Sequence, residues 1–154
     1  MATGERIRHF RKLHGMTMEY LGEKLGYPQK SAHVRMSQYE NGVRGPKKEL
    51  IDQLAEIFEV SPQSLTVPDI DSYEGLMHTF FALEDMYGIH VDYADGDLSL
   101  KLEKERGQAY VTLFRMLYEW HEQRARFESG EITEEEYNQW RYNYPESTVK
   151  KNNK

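Results

Sequence analysis

The first 65 residues carry apolar side chains at the spacing of helix faces, in five short stretches separated by turn residues. Glycines end the first three stretches, and prolines stand in the first turn of the last two. The apolar positions are Ile7, Phe10 and Leu13, then Tyr20, Leu21 and Leu25, then Met36 and Tyr39, then Leu50, Ile51, Leu54, Ile57 and Phe58, and finally Leu65. The pattern predicts a compact domain of five short helices.

The segment between the second and third helices needs its own account because it contains a proline. Pro28 has no backbone N–H and fits poorly inside a helix, so residues 27–30 are predicted to form a loop. The third helix is then expected to begin at Ser31 or Ala32 and to end at Asn41, where an Asn-Gly pair stops it.

Residues 67–146 show one helical stripe, one alternating stretch and two further helical stripes. The first helix is predicted over residues 72–87 and the longest over residues 108–129. Between them, IHVDYADGDLSLKL alternates apolar and polar positions on both sides of an Asp-Gly turn, which predicts a β-hairpin. Thr133 and Glu136 have the spacing of a capping box, and they are expected to open the last helix.

Charge separates the same two regions. Residues 1–60 hold ten Lys and Arg against eight Asp and Glu, a net charge of +2, whereas the rest hold ten against eighteen, a net charge of −8. Only the first region suits a polyanion partner. We therefore predict a mainly α chain with a helical domain over residues 1–66, an acidic and aromatic-rich helical and hairpin domain over residues 67–146, and a disordered tail over residues 147–154.

Several classes of protein are excluded by what the sequence lacks. It contains no cysteine, which removes disulfides and Cys-based zinc sites. It has no phosphate-binding glycine loop, no Gly-x-Ser-x-Gly and no paired His-Glu-x-x-His motif. We predict no enzymatic activity, no metal and no cofactor. No membrane span and no apolar signal core are evident, so a cytoplasmic location is expected.

Three segments carry a family resemblance, in order over residues 4–65. GERIRHFRKLHGMTMEYLGEKLG, MSQYENG and VRGPKKELIDQLAEIFEVSPQSL together resemble the Cro/repressor (XRE) family of helix-turn-helix proteins. The resemblance implies a lambda-repressor-like domain whose third helix enters the DNA major groove, usually as a dimer on paired half-sites. More loosely, MHTFFALEDMYG and ITEEEYNQWRYNYP make the whole chain similar to regulators of conjugative or transposon-like elements of Gram-positive bacteria.

The sequence departs from that family in two features. The connection between the second helix and the Glu-Asn-Gly end of the third is longer here, by the four residues 27–30. In addition, Met18 stands where the family usually has a Gln that touches the DNA backbone. Met offers no hydrogen-bond donor.

The resemblance also implies which residues contact DNA. Arg suits guanine, Gln suits adenine, and Val suits the thymine methyl group. The residues predicted to contact bases are His33, Val34, Arg35, Ser37 and Gln38. The residues predicted to contact the DNA backbone are Arg6, Arg11, Thr17, Lys30, Ser31, Asn41 and Arg44.

The second domain has two interpretations. Its apolar surface exceeds what about 80 residues can bury internally, which predicts self-association. The residues predicted for a dimer or partner face are Phe114, Leu117, Tyr118, Trp120 and Trp140. The main hypothesis is a sequence-specific DNA-binding transcriptional regulator, a repressor, acting as a homodimer. The alternative is a protein-binding inhibitor or adaptor that uses the acidic domain, with the helix-turn-helix serving autoregulation.

Overall fold

The computed structural model describes residues 2–68 and 70–145, and the predicted tail over residues 147–154 lies outside them. The chain divides into two compact units, one formed by Met1–Asp71 with Asn138–Lys154 and the other by Ser72–Tyr137. The sequence pattern assigns residues 138–146 to the second domain, whereas here the residues from Asn138 onward group with the first unit.

Between residues 2 and 68, the first unit contains four α-helices and one turn of 3-10 helix. They are α1 (Ala2–Leu13), α2 (Met18–Lys24), α3 (Gln29–Glu40), α4 (Lys48–Phe58) and the 3-10 turn Pro62–Ser64. The fifth predicted helix is thus a single turn, capped by the extended residue Ser61 with a proline at its first position.

The core of this unit lies between these helices. Its buried side chains are Ile7, Phe10, Leu21, Met36, Tyr39, Leu50, Ile51, Leu54, Ala55, Phe58 and Leu65. Leu13, predicted to lie on the apolar stripe of α1, is instead 58% exposed. Residues three or four positions apart share a helix face, so Arg11 is buried with Ile7, and Leu13 lies off that face.

The start of α3 corrects the prediction of a loop over residues 27–30. Pro28 is the N-cap of the helix, with extended backbone angles, and its carbonyl accepts from the amides of Ser31 and Ala32 at 2.9 and 3.0 Å. Proline is tolerated here because the first amides of a helix need no partner within the helix. The additional residues therefore lengthen α3 by part of a turn, and Ser31 is not its cap.

The lengthened helix stays close to α2 at one point of contact. Ala32 is 0% exposed and faces Gly22, where an added Cβ would lie 2.8 Å from the Ala32 Cβ. A side chain at position 22 would separate the two helices, so this pair fixes their distance.

The second unit contains the helices and the hairpin that the sequence predicts. Its elements are α5 (Tyr73–Tyr87), β1 (Ile89–Ala94), β2 (Asp97–Leu102), the 3-10 turn Lys104–Arg106, α6 (Gln108–Glu128) and the start of α7 (Glu134–Tyr142). The capping box is confirmed: the Thr133 amide donates to Glu136 at 2.8 Å, and the Glu136 amide donates to Thr133 Oγ1 at 3.1 Å.

The two strands form an antiparallel hairpin around the predicted turn. Asp95 and Gly96 both have positive φ angles, of 54° and 82°, as a two-residue hairpin turn requires. The prediction of a mainly α chain with one hairpin is confirmed. Among the described residues, no helix is long and apolar enough to cross a membrane.

Candidate nucleic-acid interface

One face of α3 rests on the core, and the opposite face points away from it. Ala32, Met36, Tyr39 and Glu40 are buried. At 3.6 residues per turn, the side opposite these positions carries Lys30, Val34, Ser37, Gln38 and Asn41. All five of these residues belong to the sets predicted to contact base edges or the DNA backbone, and Val34 is 54% exposed.

The exposed face of α3 carries no carboxylate. The only acidic residue of the helix is Glu40, which is 1% exposed. Its carboxylate pairs with the guanidinium of Arg11 on α1 rather than facing outward. A helix that approaches phosphates benefits from the removal of negative charge from its outer side.

Two of the predicted base-contacting residues have side chains suited to groove edges and stand on this outer face. The Gln38 amide can pair with adenine in two hydrogen bonds, and the Val34 methyls can pack on a thymine methyl. His33 is exposed beside Val34, whereas Ser37 is half-buried.

Arg35 lies towards the edge of that face. Its guanidinium is 5.9 Å from the centre of the Tyr27 ring, a cation–π arrangement. The Tyr27 hydroxyl lies 3.3 Å from the Tyr39 hydroxyl. Burial and this hydrogen bond raise the pKa of Tyr27, and the nearby charges of Arg35 and Arg44 act against the rise. Tyr27, part of the predicted loop, thus supports Arg35.

Asn41, at the end of α3, is held by a contact that the sequence did not reveal. Its side-chain oxygen accepts from Arg8 Nη2 at 2.6 Å, and its nitrogen donates to Ser37 Oγ at 3.1 Å. Arg8 also pairs with Glu5 and Glu40. Arg8 therefore belongs to the site although it is 33 residues from Asn41 in sequence, and the pattern gives no signal for a pair so far apart.

The predicted backbone contacts fall into two groups. Lys30 and Arg44 are exposed cations, and the Arg44 amide fixes its loop by donating to the Gln38 carbonyl at 3.1 Å. The hydroxyls are engaged locally: Thr17 Oγ1 accepts from the Tyr20 amide, and Ser31 Oγ donates to the Pro28 carbonyl.

Arg11 has a structural role instead of the predicted phosphate contact. It is 8% exposed, and its Nη2 donates to Glu40 at 3.0 Å while its Nη1 donates to the Met16 carbonyl at 2.8 Å. The hydrogen bond with Glu40 raises the pKa of Arg11 above its ordinary value. The Arg11–Glu40 pair connects α1 to the end of α3, so the Arg11 guanidinium is used in holding the domain together.

Arg6 is also used within the first unit. Its Nε donates to the Ser64 carbonyl at 2.9 Å, and its guanidinium lies 4.8 Å from the Phe10 ring centre and 5.5 Å from that of Tyr142. Burial lowers the pKa of Arg6. Because the Arg6 side chain packs within this unit, we no longer assign it a contact with a DNA phosphate.

The residues predicted for a dimer or partner face do not all lie in one unit. Phe114, Leu117, Tyr118 and Trp120 are between 37% and 51% exposed on α6. Trp140 belongs instead to the segment that groups with the first unit, where its ring lies 5.5 Å from that of Tyr144. In the part of the chain that the structure describes, no cluster of His, Asp and Glu could hold a metal ion.

A comparison with a family model identifies the first domain. The crystal structure of the transcriptional regulator BswR aligns with 54% of this chain and 93% of its own, at 24% sequence identity and a TM-score of 0.41. No curated protein gave a significant match. Residues 7–65, which contain α3 and its exposed face, match the model of the family described as Helix-turn-helix. The N-terminal domain of this chain therefore belongs to the helix-turn-helix family of the Cro/repressor (XRE) type.

Proposed function

We propose that this chain is a sequence-specific DNA-binding transcriptional regulator, a repressor, and that it acts as a homodimer. The observation that carries the proposal is the exposed face of α3 within a helix-turn-helix domain. That face offers amide, hydroxyl, apolar and cationic groups, and the one carboxylate of the helix, from Glu40, is buried on the opposite side.

The proposed contacts follow from where the side chains stand. Gln38 and Val34 contact base edges from the middle of the face, and His33 and Ser37 flank them. Arg35, at the edge of the exposed face of α3, moves off the Tyr27 ring and contacts a guanine. Lys30 and Arg44 contact phosphates on either side, and Asn41, Thr17 and Ser31 add polar contacts to the backbone.

A homodimer suits this function because one helix-turn-helix reads only a half-site. Two copies on paired half-sites double the contacts and give a site of useful length. The exposed aromatic side chains of α6, among them Phe114 and Tyr118, supply apolar surface for self-association. We leave Trp140 out of the proposed dimer face because it groups with the DNA-binding unit.

The first test is a binding titration with the DNA upstream of the gene for this chain, at about 0.15 M salt. We expect the full chain to bind this DNA at least about 1000-fold more tightly than random DNA of the same length. Equal binding to both DNAs would contradict the proposal. A promoter fused to a reporter then separates repression, in which expression falls, from activation.

Two substitutions on α3 test the assignment of contacts. Gln38→Ala should cost about 1–3 kcal/mol of binding free energy and relax the preference at one base position. Lys30→Ala should weaken binding to all sequences about equally and reduce the slope of affinity against salt by about one. Lys48→Ala, an exposed cation on α4, serves as the control. Unchanged sequence preference in Gln38→Ala would contradict this placement of α3.

A second function is favoured by the charge of the other unit. Ser72–Tyr137 holds six Lys and Arg against fifteen Asp and Glu, a net charge of −9. Such a surface suits a protein inhibitor or adaptor that covers a basic partner, with the helix-turn-helix serving autoregulation. Full-length chain that binds no operator but retains a basic protein at about 0.15 M salt would favour this alternative.

A further inference from the structure

The β-hairpin of the second unit has one face made entirely of apolar side chains. Residues directly opposite in the register share a face, and the pairs Ile89 with Leu102, Val91 with Leu100 and Tyr93 with Leu98 lie on the same side. We call these six residues the hairpin face. The other side carries the polar positions, among them Asp92 and Lys101, which form an ion pair.

Four of the six residues of the hairpin face are exposed in the monomer. Val91, Tyr93, Leu98 and Leu100 are 63%, 69%, 66% and 58% exposed. Four side chains exposed to that degree present on the order of 400 Å² of apolar surface, the range in which a patch marks an interaction site. A two-stranded hairpin is marginally stable in water unless such a face is packed.

The whole unit around the hairpin lacks a core of its own. Over residues 72–137, all of which the structure describes, only Gly88 and Tyr137 are buried. A segment with so little internal burial cannot offset the conformational entropy that folding costs. Its apolar surface must therefore be covered whenever it is folded, which requires a permanent partner rather than a transient one.

We propose that the hairpin face is the interface between two copies of this chain, packed face to face around a two-fold axis. The inference rests on the proposed function, since it specifies the surface through which the proposed homodimer forms. In such an interface the same patch is used by both copies, so apolar side chains meet apolar side chains.

Charge favours a second copy at this face. Two units of net charge −9 repel one another, and the repulsion between side chains is smallest where the contacting surface carries no charge. All six residues of the hairpin face are uncharged. A basic partner would instead bind the acidic surfaces of the unit through charge, and it would not need to contact the apolar hairpin face.

The area required also points to a symmetric dimer. A standard interface buries about 800 Å² on each partner, and the hairpin face supplies about half of that. The remainder is available in the same unit, where Phe81 on α5 and Phe114 and Tyr118 on α6 are each about half exposed. A second copy of the chain exposes the same apolar residues, so each copy would cover the exposed apolar surface of the other.

The first experiment compares two neighbouring positions of β2 on opposite faces. Leu100→Glu, on the hairpin face, should raise the dimer Kd of the full chain by about 100-fold or more, because two unpaired carboxylates would be buried together. Ser99→Glu, on the polar face, adds the same charge and should change the Kd by less than about threefold. Sedimentation equilibrium measures both. Equal effects of the two substitutions would overturn the proposal.

A second measurement does not depend on a disruptive substitution. Because the chain has no cysteine, Val91→Cys introduces a single thiol at the centre of the hairpin face. Packed sheets lie about 10 Å apart, within reach of a short bis-maleimide. We expect efficient cross-linking to a dimer for Val91→Cys and little for Ser99→Cys. Little cross-linking of Val91→Cys in a dimeric chain would overturn the proposal.

The outcomes separate this inference from the proposed function. A chain that is dimeric and binds its operator, but whose Val91→Cys variant does not cross-link, retains the function and loses the hairpin interface. A chain whose Val91→Cys variant cross-links but which binds no DNA specifically retains the interface and loses the function. A chain that is monomeric at all concentrations loses both the interface and the homodimer.

Discussion

At the scale of single residues, the buried pair of Arg11 and Glu40 makes a strong contribution to the DNA-binding domain. Glu40→Ala would leave the Arg11 guanidinium, 8% exposed, without its counter-charge. We expect a loss of about 3–5 kcal/mol in the free energy of unfolding, measured by urea denaturation. Asp52→Ala removes an exposed pair with Lys48 and should cost less than about 1 kcal/mol. A similar loss in both variants would contradict this role.

The same pair shows which residues a sequence pattern identifies and which it does not. Apolar periodicity correctly located Met36 and Tyr39 on the buried side of α3, and this also fixed the outward position of Gln38. Periodicity treats charged residues as surface, and the family resemblance then implied that Arg11 contacts the DNA backbone. Its burial is decided by Glu40, a residue on another helix and 29 positions away, and no local pattern encodes that distance.

At the scale of elements, the distance between α2 and α3 depends on one glycine. Gly22→Ala gains about 1 kcal/mol of helix propensity. Its Cβ would, however, lie 2.8 Å from both the Cβ and the carbonyl oxygen of Ala32. We expect a net destabilisation of about 1–3 kcal/mol in thermal or urea unfolding. Gly45→Ala, where nothing lies within 4 Å, is the control. A stabilised Gly22→Ala variant would show that the helices can separate freely.

The elements themselves were predictable to different degrees. The hairpin was predicted because its signal is local: an Asp-Gly turn between two alternating stretches. The start of α3 was misplaced because Pro28 can either break a helix or cap one, and the choice depends on the next turn. Here the helix begins at Gln29, and Ala32 in its first turn is buried against Gly22.

At the scale of the whole molecule, the end of α7 belongs to the DNA-binding unit. The Tyr142 ring packs edge-on against Phe10 at 4.9 Å, and its carbonyl accepts from the Ser61 amide at 3.0 Å and from Ser64 Oγ at 2.6 Å. The sequence pattern assigned residues 138–146 to the second domain because they directly follow its helices along the chain. Contacts between residues more than 70 positions apart have no counterpart in local periodicity.

We expect the packing of this segment to depend on pH through His9. Its Nε2 lies 3.2 Å from the Tyr142 hydroxyl, and burial, with the charges of Arg6 and Arg141, lowers the pKa of His9 in the folded chain. The neutral imidazole is therefore favoured by folding. This stability is complete above the ordinary pKa of about 6.5 and is lost as the pH falls below it.

We expect the free energy of unfolding to fall more steeply from pH 7.5 to pH 5.5 in the original chain than in His9→Gln, which cannot be protonated in this range. The difference between the two curves isolates His9 from the carboxylates, which titrate in both chains. Parallel curves for the original chain and His9→Gln would show that protonation of His9 does not oppose the packing of Tyr142.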